Sequence, residues 1–154
     1  MCYYFHMTLY EQITSDMKTA MKAGDKAKLE VLRFALSGLN SALKEMQMKD
    51  ATATLADEDV ITILQKEAKR RKESIELFRQ GNREDLATNE EAQLAILATY
   101  LPAQMSSEEI AGIVDGLIAG GNNEFSTLMR EVSKVTKGRA DGKMVAEIVK
   151  EKTG

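Results

Sequence analysis

Proline is nearly absent from this sequence: Pro102 stands alone among 154 residues, beside ten glycines. Strand-rich and loop-rich folds need turn chemistry that this supply hardly meets. There is no tryptophan and only eight tyrosines and phenylalanines together, whereas alanine, leucine, lysine, glutamate and methionine are plentiful. These are good helix formers, and the composition implies an all-α fold. Cys2 is the only cysteine, which excludes an internal disulfide and a thiolate metal cluster. His6 is the only histidine, which argues against a histidine general base or a histidine-rich metal site. No stretch reaches the roughly 20 apolar residues of a membrane span. The first residues lack the basic region and cleavage site of a secretory signal, so a cytoplasmic setting is expected. Residues 1–7, which precede the first helix signal, read as an incidental leader.

What is present is periodic. Thr8 and Glu11 form a capping box before a helix carrying Leu9, Ile13, Met17 and Met21, which Gly24 should stop. Asp25 caps a second helix whose Leu29, Leu32, Leu36, Leu39, Leu43 and Met46 follow a heptad spacing. A third helix should run from an Asp57 cap to about Gln80, with Gly81 as its left-handed terminator. A fourth should run from about Arg83 to Tyr100, antiparallel to the third across Gly81 and Asn82. Residues 8–102 therefore read as a bundle of about four helices. Beyond Pro102, Ser106 and Glu109 form a second capping box. Three short helices follow, with apolar sets such as Ile110, Val114, Leu128, Val132, Val135, Met144, Val145 and Val149. Each is marginal alone, so 103–154 should be a three-helix subdomain stable only when packed.

The net charge is −3, but the distribution is uneven. Lys66 to Arg83 holds seven cations against three glutamates, and Arg130 to Gly154 seven against four carboxylates. Lys66, Lys69 and Arg70 share an outer helix face, with Arg79 near the hairpin tip. They form either a phosphate-contact surface or a solvated face laced with pairs such as Lys69–Glu73. Arg71 falls into the apolar stripe of Leu64, Ala68 and Ile75, and Glu90 into that of Leu86 and Leu94. Either an Arg71–Glu90 ion pair links the two helices, or Arg71 snorkels to water. Lys137, Arg139 and Lys143 crowd around Gly138 and an Asp141-capped helix start, an arrangement suited to phosphate.

Four segments in order resemble the GatB/YqeY family: LQKEAKRRKES at 64–74, GNREDL at 81–86, YLPAQMS at 100–106 and KGRADGKMV at 137–145. The freestanding YqeY-like proteins are the nearest in pattern. The resemblance implies a helical bundle followed by a small helical subdomain. That subdomain is similar to the tail of the B subunit of the tRNA-dependent amidotransferase, a tRNA-binding appendage. It also carries a family label of glutamine-dependent carbon–nitrogen ligase, for which this chain has no ATP, magnesium or ammonia-handling motif and no catalytic residue. The expectation is a monomeric, non-enzymatic adaptor with no cofactor or metal, which binds tRNA or a tRNA-handling protein complex. Its contacts would be Lys137, Arg139 and Lys143, with Lys66, Lys69, Arg70 and Arg79 as a second surface. The alternative is a protein–protein module using an apolar groove between the subdomains, for which the nine methionines would suit.

Overall fold

A computed structural model describes residues 6–154, in which seven helices and no strand occur. The leader expected at 1–7 falls mainly on residues 1–5, which lie outside the described residues, as does Cys2. The chain divides into two compact units, Met1–Leu101 and Pro102–Gly154.

The first unit contains α1 (Leu9–Ala23), α2 (Lys26–Lys49), α3 (Asp57–Gln80) and α4 (Glu84–Ala98). The Thr8 hydroxyl accepts from the Glu11 amide while the Glu11 carboxylate accepts from the Thr8 amide, closing the capping box. Gly24 ends α1 at φ 70°, a left-handed position that only glycine fills cheaply. Asp25 caps α2 through the Lys28 amide. The core draws Ile13 from α1, Val31, Leu32, Leu36 and Leu39 from α2, Val60 and Leu64 from α3, and Leu97 from α4.

Two end signals resolve differently from the sequence expectation. Ala56, not Asp57, holds the cap position of α3. Asp57 instead accepts from the Leu9 amide at 2.8 Å, tying the starts of α1 and α3, and Asp59 accepts from the Ala56 amide. Gly81 has an ordinary φ of −83°, and the left-handed residue is Asn82 at φ 55°. The Arg83 amide then reaches back to the Phe78 carbonyl at 2.8 Å. Asparagine tolerates this conformation through its short polar side chain, so the turn needs no glycine there.

The second unit packs α5 (Ser107–Ala119), α6 (Phe125–Thr136) and α7 (Gly142–Thr153). Each helix gives one i,i+4 pair to the core: Ile110 and Val114, Leu128 and Val132, Val145 and Val149. Val135 and Met144, expected inward, are exposed at 57% and 41%. Three short helices can turn only a narrow stripe inward, and Thr136 takes the next buried place on α6. Its hydroxyl donates to the Val132 carbonyl, which makes that burial tolerable.

Candidate nucleic-acid interface

The α6–α7 connection is built by its own backbone. Gly138 adopts φ 80°, and the Thr136 carbonyl accepts from both the Arg139 and Ala140 amides. The Arg139 carbonyl accepts from the Met105 amide at 2.6 Å, and the Arg139 Nε donates to the Ala103 carbonyl at 3.4 Å. The stretch after Pro102 thus braces the turn. Asp141 caps α7 by accepting from the Lys143 amide at 3.0 Å.

Lys137, Arg139 and Lys143 are all exposed on this braced turn, Arg139 keeping its Nε on the Ala103 carbonyl. Among the described residues none of the three has a carboxylate within ion-pair distance, whereas other cations of the unit do. Lys134 and Arg130 both meet Glu131, and these contacts, Lys134 first, hold its carboxyl below the usual range. Lys152 meets Asp115 at 3.0 Å. The turn therefore concentrates uncompensated positive charge on a rigid backbone, although the chain as a whole is acidic. The helix start itself is occupied by the Asp141 carboxylate, so side chains would carry any phosphate contact.

In the bundle, Lys66, Lys69 and Arg70 are exposed, and among the described residues they form no ion pair, including the Lys69–Glu73 pair. Arg79 differs. It lies 2.5 Å from Glu91 and 3.5 Å from Glu84, and the Glu91 hydrogen bond pushes its pKa up. Arg79 thus closes the α3–α4 hairpin and offers little charge to a ligand.

The structure brings Arg71 and Glu90 together, with Nη1 3.0 Å from Oε2. Arg71 is 8% exposed. Its Nη2 lies 3.3 Å from Glu67, its Nη1 also donates to Gln93, and its Cζ sits 5.7 Å from the Phe34 ring centre. Nε is buried without a hydrogen-bond partner among the described residues. Glu67 and Gln93 follow Arg71 and Glu90 by ordinary helical spacing. Phe34, from another helix, left no signal in the sequence. Nor did the Tyr100 hydroxyl, which donates to Asp16 at 2.6 Å across 84 positions of sequence. No three His, Cys, Asp or Glu side chains converge as a metal site among the described residues. No described helix is long and apolar enough to cross a membrane.

Comparison with known proteins adds identity to this geometry. The altered inheritance of mitochondria protein 41 of Pyrenophora tritici-repentis, a mitochondrial protein by name, is 30% identical over 93% of this chain and 80% of its own length. A protein of the same name from Vanderwaltozyma polyspora is 39% identical over 58% of this chain, which spans only 46% of that relative. An uncharacterized protein of Schizosaccharomyces pombe is 34% identical over 62% of the chain and 73% of its own length. The cytoplasmic setting expected above is corrected by these mitochondrial relatives. Lack of a secretory signal separates a chain from exported proteins, not cytosol from organelle. The Yqey-like protein family matches residues 10–153, and with so much of the sequence covered, the chain belongs to the YqeY-like family.

Proposed function

We propose that this chain is a non-enzymatic adaptor that holds RNA of the tRNA class through the α6–α7 turn. The observation that carries the reading is the trio Lys137, Arg139 and Lys143, exposed and uncompensated on a turn fixed by backbone hydrogen bonds. Phosphate recognition is favoured by exposed cations on a preorganised base, because the backbone then loses little freedom on binding. The resemblance of this unit to the tRNA-binding tail of an amidotransferase subunit supports the same ligand. The mitochondrial setting of the relatives is taken as part of the reading. Carbon–nitrogen ligase activity is not part of it, because the turn offers cations for phosphate but no nucleophile that would release ammonia from glutamine.

The test is amide NMR of the full chain titrated with unfractionated tRNA. Shifts should concentrate at 136–145 and vanish in the Lys137→Glu/Lys143→Glu variant, whose side chains the fold does not use. Absence of shifts, or shifts confined to other segments, sinks the reading.

A further inference from the structure

The bundle carries a second feature that the basic turn does not use. Helices α2 and α3 run antiparallel, since Gly38 faces Ile63 while Phe34 faces Arg71 further along. Between them lies a groove of about 320 Å³. Its apolar surface is Phe34 with Ala35, Ile63 and the edge of Leu64. Phe34 is 57% exposed, and the Arg71 guanidinium carbon lies 5.7 Å from its ring centre. Gly38 keeps the α2 wall low, and the Ser41 hydroxyl is already engaged, donating to the Ser37 carbonyl. On the α3 rim stand Lys66 and Arg70, exposed and without an ion pair among the described residues, while Glu67 between them is already paired with Arg71 at 3.3 Å.

We propose that this groove docks an amphipathic helical segment of a protein partner, with apolar side chains seated on Phe34 and Ile63 and carboxylates against Lys66 and Arg70. An exposed phenyl ring beside an apolar floor is the anchor pattern of helix-in-groove recognition. From Phe34 to Ser41 the wall runs about 10 Å, so the occupant needs two to three turns. The charge pattern selects the partner. Lys66 and Arg70 are one helical turn apart, and they match two carboxylates spaced i,i+4 on the incoming helix.

The same charges disfavour other occupants. RNA would find an apolar floor lined by Lys66 and Arg70 with the Glu67 carboxylate between them, and beside Phe34 the exposed Arg33 is offset by the exposed Glu30. A second copy docking face to face would set Lys66 and Arg70 of each chain against their own kind. Neither groove wall contains Lys137, Arg139 or Lys143, so this inference and the proposed RNA contact stand or fall separately.

The probe is a fluorescent 15-residue helical peptide with leucines at i, i+4 and i+7 flanked by glutamates, measured by anisotropy against the full chain. Its partner probe replaces the glutamates with lysines. The acidic peptide should bind at least tenfold more tightly than the basic one. Phe34→Ala should weaken it about tenfold, with circular dichroism unchanged because the ring is largely exposed. Lys66→Glu/Arg70→Glu should reverse the preference between the two peptides. The inference is overturned if neither peptide binds below about 1 mM, or if both bind alike. It is also overturned if Phe34→Ala leaves binding intact or an RNA hairpin competes for the groove. Self-association of the protein that Phe34→Ala abolishes would assign the groove to a second copy instead.

Discussion

Arg71 is nearly buried and surrounded by Glu67, Glu90 and Gln93, so its removal would strand two carboxylates in a poorly solvated seam. Arg71→Ala is expected to cost about 3 kcal/mol in chemical denaturation. Arg71→Met combined with Glu67→Gln and Glu90→Gln should recover most of that loss, because the stranded charges go too. Tyr100 gives a pH-dependent counterpart. Burial first, and its hydrogen bond to Asp16 second, raise its hydroxyl pKa above the ordinary tyrosine value. The unfolded chain then releases this proton first, so stability from this group is intact below about pH 10 and declines as pH rises further. Tyr100→Phe should lose about 1 kcal/mol near neutrality. The gap to the natural protein in thermal melts should narrow above about pH 10; a constant gap would contradict this. At this scale, a charge that interrupts an apolar stripe was legible, as at Arg71 and Glu90. Partners from distant helices, Phe34 and Asp16, follow from packing that no local spacing encodes.

At the scale of elements, helix starts were the most readable feature. The boxes at Thr8 and Ser106 and the Asp25 and Asp141 caps all use a side chain local to the helix it starts. The α3–α4 turn was less readable because Gly81 and Asn82 both suit a left-handed position, and the backbone chose the second. Asn82→Val should therefore destabilise the chain by about 1–2 kcal/mol, whereas Asn82→Gly should be close to neutral. The opposite order in thermal melts would place the strain at Gly81. Arg79 shows the limit of reading charge by face. It lies near the other cations of α3, yet the hairpin brings Glu84 and Glu91 to it.

On the whole-molecule scale, each unit has its own core, and that of Pro102–Gly154 rests on six buried aliphatic residues. Leu128→Ala should remove about 2–4 kcal/mol from it, comparable with the stability that a unit so small can hold. Hydrogen exchange would then show protection lost in α5–α7 and kept in α1–α4. Loss in both would contradict separate cores. The break between Leu101 and Pro102 coincides with the lone proline and a change in helix length; the cytoplasmic expectation had no such local signal, and only relatives named as mitochondrial overturned it. The proposed role has the braced turn of this unit binding tRNA phosphates through Lys137, Arg139 and Lys143. Its most direct test is tRNA affinity of the full chain measured across salt concentration. Log affinity should fall against log salt with a slope of about 2 to 3, and Arg139→Glu/Lys143→Glu should flatten this by about 2. A slope near zero, or one that the double charge reversal leaves unchanged, would contradict it.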